Sequence, residues 1–535
     1  MAHVLQGVYA PLPQSLSDSD SDKEISMEPV CGNYNGKHSD SRKTNSFSYL
    51  QNGHQMVFSE IVEDMHQAKL VNPKMSAGCK FAFAFSIILC FLPVVIFLWV
   101  LPCSESNTCP VKISNWEIQL ENIEFQGKCN LVDGPYKGSI LNIALMYKGS
   151  FNSHMDQKNG IALLKGRDGS TIWNYRQKMN PSGLNCSIID VSGNGIHDCL
   201  VIDENGLKAI ESLTGETLWY AHSAQEKSIP KLDMPVKLKD MDDDNIDELL
   251  AIYEKHSLLL ISGKDGKALQ NIKVLTPCFS IEELHRVGEF IRYLCNAENE
   301  GYYEISLDNI EAMYKKNQEI IPKVLVFKNE SGVFQTGNRK LIVKNENTCP
   351  HCHSTITLYG NNSKEWSYTN AYTMRPVPYS LRPTETNMVA LKGHIYGFIL
   401  KIWEWKEHSR KLAPGTRVYK RSVAVHNETY HLNNVTERFI LIVFNENDTR
   451  IINVSMTDLC IICNGPDRTN CQPNYEDQQD SLSVVDLDDD GALELISFYS
   501  TYERRDEEGY EAYYLVSKLN VFRLESELPK LYGNK

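Results

Sequence analysis

The chain has no excess of basic residues: 54 Lys and Arg stand against 68 Asp and Glu, a formal net charge of −14. That balance argues against nucleic acid as a partner, because phosphate binding needs clustered cations. The usual hydrolase signatures are missing too, with no Gly-X-Ser-X-Gly elbow and no His-Glu-X-X-His helix. None of the fifteen cysteines is adjacent to another. No short basic segment opens the chain, so a signal anchor is expected rather than a cleaved signal peptide. Residues 1–80 are polar, rich in Ser, Asn and Asp, and lack sustained periodicity; they read as a disordered tail.

Charge is also absent from residues 81–101, a run of 21 that is long enough to cross a bilayer as a helix. Pro93 is tolerated in such a helix. Lys69, Lys74 and Lys80 precede the run, and only Glu105 is charged in the ten residues after it. The positive-inside rule therefore predicts a signal anchor with its N-terminus in the cytosol, a type II membrane protein of the cell surface or the secretory pathway. Asn-X-Ser/Thr acceptors agree: Asn185, Asn329, Asn361, Asn427, Asn434, Asn447 and Asn453 all follow the anchor and none precedes it. Their glycans are read as protective. Twelve of the cysteines also lie beyond the anchor, an even number that allows full pairing in an oxidising compartment.

What the chain does contain is a nine-residue acidic loop in three copies, each running into an apolar strand pattern. The candidate metal residues are Asp190, Ser192, Asn194, Ile196 and Asp198; Asp240, Asp242, Asp244, Ile246 and Glu248; and Asp486, Asp488, Asp490, Ala492 and Glu494. Oxygens at odd positions of a tight loop converge on one point and suit a hard cation such as Ca2+. Gly or Asn at position 6 supplies the positive φ such a turn needs. An EF-hand would carry its acid at position 12 between helices, whereas this acid stands at position 9 between strands. The Asp240 copy is the most acidic and is expected to bind tightest, the Asp486 copy next and the Asp190 copy least. A degenerate copy at Asp133 to Asn142 has the wrong spacing.

A hairpin repeats in step with the loops, turning at Gly169, Gly215 and Gly266, which lie 46 and 51 residues apart. Each turn joins two strand patterns, and the first two run on to Trp173 and Trp219. A period near 50 with two hairpins inside it reads as four-stranded propeller blades.

At these residues the acidic loops resemble the cation loops of FG-GAP repeats in the integrin α-chain propeller. The Thr-Gly-Glu-Thr-Leu-Trp turn ending at Trp219 resembles the repeat of quinoprotein-type propellers. With the single anchor and the Leu-Pro-Cys that closes it, the chain resembles the family with sequence similarity 234. The resemblance covers about Lys80 to Lys273 and returns around Asp486. It implies an all-β propeller ectodomain with FG-GAP repeats on a single transmembrane helix.

The expected organisation is a cytoplasmic tail (1–80), an anchor helix (81–101), a short stalk (102–113), a propeller of seven or eight blades (114–528) and a C-terminal tail (529–535). The ring is expected to be closed by a strand from Asn115 to Phe125 paired with the last blade. Cys186 with Cys199, and Cys278 with Cys295, are the expected local disulfides. The connectivity of Cys460, Cys463 and Cys471 stays open. Cys349-Pro-His-Cys352-His353 matches redox and haem-attachment patterns, and Cys349, Cys352, Cys460 and Cys463 have spacing that zinc could use. A loop disulfide is the better reading of that segment, since no βαβ unit or second haem ligand accompanies it.

Trp403 and Trp405 share one face of a strand and are expected to pack rather than line a ligand box. In the tail, Tyr9-Ala-Pro-Leu12 matches a tyrosine-based sorting signal for a clathrin adaptor, followed by an acidic serine cluster from Ser15 to Glu24. The functional expectation is a structural calcium-binding propeller that serves as a protein-interaction module, receptor-like or adhesion-like, for an unknown protein ligand. The alternatives are a quinoprotein-like enzyme and a sorting or accessory subunit of the secretory pathway. Catalysis ranks below binding because no aspartate base or vicinal cysteine ring of the quinoprotein kind is present.

Overall fold

The computed structural model describes residues 113–524 with short breaks, the longest at 382–393 and 419–429, and a few positions between 78 and 91. The tail, Tyr9 and Leu12, most of the anchor, the stalk before Ile113 and residues after 524 lie outside the described residues. Among those described, no helix is long and apolar enough to cross a membrane. The described positions of the anchor are helical, and Phe81, Phe85, Ile87, Leu89 and Phe91 are exposed.

Strands dominate, in six hydrogen-bonded sheets. The first four have four antiparallel strands each. They comprise Ile123–Val132, Asn142–Gly149, Asn159–Leu164 and Thr171–Gln177; Gly183–Ile189, Asp198–Asp203, Gly206–Ile210 and Thr217–Tyr220; Val236–Lys237, Leu249–Tyr253, Ser257–Ile261 and Ala268–Ile272; and Ser280–Val287, Phe290–Asn296, Gly301–Ser306 and Lys323–Leu325. The fifth sheet holds ten strands between Val333 and Gln472, and the sixth runs Trp116–Glu121, Tyr510–Arg523, Glu494–Glu507, Leu482–Val485.

Burial follows position in the sheet. The second strand of the second sheet, Asp198–Asp203, is buried at every residue, because neighbouring sheets cover both its faces. The outermost strand Thr171–Gln177 is covered on one face only and alternates. Accordingly the cores lie between sheets. Phe125, Ile143 and Leu145 of the first sheet meet Phe498, Leu519 and Val521 of the last. The first and second sheets meet through Ile161 and Val201, the second and third through Leu200 and Ala251, and the third and fourth through Ile252 and Tyr293. This is the packing of a β-propeller.

Trp116–Glu121 pairs with Tyr510–Arg523 as the outermost strand of the last sheet, so the start of the domain closes onto its end. Ile113, assigned above to the stalk, is buried in the core between the last and first sheets.

Tryptophan locks connect the sheets. The Trp116 indole donates to Gly166 O at 2.9 Å, Trp173 to Ser212 O at 2.8 Å and Trp219 to Gly263 O at 2.9 Å. In each case the ring lies on the turn glycine of the next sheet. A Cβ at Gly169, Gly215 or Gly266 would meet the facing ring at 2.6, 2.8 or 2.5 Å, and all three glycines have φ above +70°.

Six sheets fall short of the seven or eight blades expected from length. The arithmetic assumed about 50 residues per blade throughout, but the middle of the chain uses longer strands, Tyr430–Phe444 and Thr449–Asn464. Strand Ser363–Thr373 also outruns its own neighbours and pairs through Tyr372 and Thr373 with Ile395–Trp405, joining two runs of strands into one sheet. Those runs pack on each other through Leu341, Ile356, Phe398 and Ile440.

Candidate metal loops

The acidic loops join Gly183–Ile189 to Asp198–Asp203 in the second sheet, Val236–Lys237 to Leu249–Tyr253 in the third, and Leu482–Val485 to Glu494–Glu507 in the last, each time the strand at the end of the sheet and its neighbour. Since strands alternate in direction, these connections open on one face of the propeller. The degenerate copy at Asp133 to Asn142 fills the same connection of the first sheet.

One backbone scaffold builds each loop. Asp240 accepts from the amides of Asp243 at 2.8 Å, Asp244 at 3.3 Å and Asn245 at 2.8 Å. Asp244 accepts from Ile246 N, and Glu248 reaches back to accept from Met241 N at 2.7 Å. Asp190, Asn194 and Asp198 repeat this pattern, as do Asp486, Asp490 and Glu494. Positive φ occurs at position 6 as expected from sequence (Gly195, Asn245, Gly491), and also at position 4 (Gly193, Asp243, Asp489). Gly or Asp at position 4 in all three copies was the available signal for that second turn.

The copies differ in what remains for a cation. Asp240, Asp242 and Glu248 each place an oxygen within 4.8 Å of the others, and so do Asp486, Asp488 and Glu494. Glu248 has no exposed surface, and its Oε1 has no hydrogen-bond partner. Burial, reinforced by Asp242 and Asp240, pushes its carboxyl up to about 7. An orphaned buried carboxylate oxygen facing two further carboxylates is a donor set that fits a hard dication. Asp198 instead has both oxygens engaged, Oδ2 by Val191 N and Ser192 N and Oδ1 by Ser212 N, although burial still raises its pKa. The first loop does not gather three acids.

In the third loop Arg523 lies against the acids. Its guanidinium contacts Asp490 Oδ2, and its Nη1 stands 3.7 Å from Asp488 and 3.5 Å from Glu494. Burial pushes Glu494 up to about 7, with Arg523 among the groups opposing it, while at Asp490 burial is outweighed by Arg523 together with hydrogen bonds from the Ala492 amide and Asp488, which hold that group below its ordinary value. Arg523 follows Glu494 by 29 residues, so no local spacing connects it with the loop. Position 7 of each loop, Ile196, Ile246 and Ala492, donates its amide to the position 5 side chain.

Cysteines 186 and 199 are bonded across the first loop, and Cys278 is bonded to Cys295. Cys349 is bonded to Cys352 and Cys463 to Cys471, which removes those thiols from a zinc set. Both disulfides border the cluster in which Trp403 and Trp405 pack with Tyr372 and Tyr475. Full pairing does not hold: Cys129 is free, and burial among the apolar side chains of the first and last sheets pushes its thiol up to about 12.

Of the glycosylation acceptors, Asn453 is exposed and Asn434 half-buried. Asn185 is half-buried, its Oδ1 accepting from both the amide and the hydroxyl of Ser187. The other four lie outside the described residues.

Strand order, inter-sheet cores and Trp locks define the class, an all-β propeller. Residues 160–337 match the FAM234A/B beta-propeller family. The chain is 23% identical to Protein FAM234A of Bos taurus over 249 residues, covering 42% of this chain and 44% of that protein. It is 22% identical to Protein FAM234A of Homo sapiens over 201 residues, covering 35% and 36%. Over this region the chain is similar to the FAM234 family. The matched region spans less than half the length of these curated relatives. Among solved structures, BamB from Moraxella catarrhalis covers 74% of this chain and 82% of its own at 8% identity and a TM-score of 0.25. BBS1N, solved in complex with ARL6DN, covers 77% and 97% at 11% identity and a TM-score of 0.34.

Proposed function

We propose that the chain is a type II single-pass membrane glycoprotein whose propeller, outside the cell or in the secretory lumen, holds Ca2+ structurally and presents one face to a protein partner. The carrying observation is the Asp240 loop, where Glu248 Oε1 is buried without a partner beside Asp240 and Asp242. The exposed side chains of Asp242, Asp243 and Asn245 put that loop on an accessible face. Calcium there would fix the connection between strands rather than perform chemistry. The exposed apolar side chains from Phe81 to Phe91 favour the anchor reading.

Cross-linking on intact cells, followed by capture of the full chain in calcium or in EDTA, tests the partner. A surface partner lost in EDTA is expected. Recovery of only clathrin adaptors, dependent on Tyr9 and Leu12, would shift the function to the tail and favour the sorting reading. Alcohol oxidation with added quinone and a dye acceptor would favour the enzyme.

A further inference from the structure

The three acidic loops have one backbone design but unequal charge, and each meets that charge differently. The Asp190 loop has shed two carboxylates to Ser192 and Asn194, and amides engage both oxygens of Asp198. The Asp240 loop keeps its carboxylates, and the cations paired with it are solvated lysines: Lys237, 3.1 Å from Asp247 with a side chain 38% exposed, and Lys264, 3.9 Å from Asp244 with a side chain 57% exposed. A solvated ammonium compensates little. The Asp486 loop has acids at the same positions 1, 3, 5 and 9 and is more deeply buried, and its carboxylates face Arg523, whose side chain is only 8% exposed.

Resting on the calcium reading of the Asp240 loop, we propose that Arg523 is the resident cation of the Asp486 loop, standing where the metal would stand, so that this copy takes no calcium in the native chain. A guanidinium is permanently charged, and its planar fork reaches two or three carboxylates at once. Here it meets acids from positions 3, 5 and 9. A dication drawn to the same oxygens would have to displace a buried arginine that could not lose its charge.

The placement also has a structural use. Asp488 Oδ2 accepts from Ile113 N at 2.7 Å, and the Arg523 amide donates to Asn115 at 2.8 Å. The loop thereby fastens the segment that leads into the ring-closing strand Trp116–Glu121. Closure of the propeller is then independent of calcium, while the third sheet depends on it.

The test uses the full-length protein in detergent, crystallised and soaked in manganese chloride as an anomalous stand-in for calcium. Wild type is expected to show an anomalous peak within the Asp240 loop and none between Asp488 and Glu494, and Arg523→Gln to gain a peak at that second position. A wild-type peak between Asp488 and Glu494 with Arg523 turned away would overturn the proposal, as would an Arg523→Gln variant that stays empty there. If wild type shows no peak in either loop, the calcium reading of the Asp240 loop fails. The arginine assignment is then decided by whether Arg523→Gln gains metal. Should that variant not fold, the wild-type map alone decides.

Discussion

Glu124 has no exposed surface, yet it lies 3.3 Å from Lys148 and beside Asp477. Burial pushes its carboxyl from an ordinary 4.5 up to about 7, with Lys148 opposing and Asp477 adding. A raised acid favours the fold while it keeps its proton. The contribution is complete below about pH 4.5 and is lost as pH rises through about 7, an effect of up to about 3 kcal/mol. Glu124→Gln retains an acceptor for Asn474 N and is expected to flatten the decline in melting temperature over that window. An unchanged slope would remove Glu124 from the account. Residues of this kind were not readable in advance, and neither was Arg523, because their chemistry comes from neighbours hundreds of residues or a whole hairpin away. The loop ligands were readable because each loop is assembled by side chains bonding amides two to seven residues off.

Among the elements, the Gly-turn and Trp pairs were half legible. Turn and tryptophan stood out as a repeat, but the carbonyl each indole reaches belongs to the next sheet. Gly215 has φ +77° with Trp173 packed where a Cβ would go. Gly215→Ala is expected to cost about 2 kcal/mol through left-handed strain and displacement of the ring. Chemical denaturation checks this, and a loss below about 0.5 kcal/mol would mean that the lock yields freely. The disulfide bracketing the first loop closes a ring of 14 residues. Replacing Cys186 and Cys199 with Ser is expected to cost roughly 3 kcal/mol, read from the same unfolding curves, and equal stability would contradict a structural role. The repeat blurred after Gly266 because strand Ala268–Ile272 carries no Trp to continue the series. Beyond it, the 15- and 16-residue strands break the period that revealed the earlier sheets.

For the whole molecule, the propeller class and the ring-closing N-terminal strand followed from local patterns repeated at a fixed spacing, whereas the number of sheets depended on strand lengths and long-range pairing that no local pattern records. The proposed topology predicts a mass decrease with peptide N-glycosidase, with Asn453 as the exposed described acceptor. An unglycosylated protein from a secretory host would place the propeller on the other side of the membrane. The central claim is that the Asp240 loop binds Ca2+ and holds the third sheet in place. The most direct measurement is the melting temperature of the full-length protein in millimolar calcium and in EDTA, for wild type and for Asp242→Asn/Asp244→Asn, with bound calcium assayed on each. The account predicts a calcium-dependent rise in wild type, because a ligand held by the fold stabilises it by mass action, and a rise much reduced in the double variant. Equal melting temperatures with no calcium bound to wild type would contradict it.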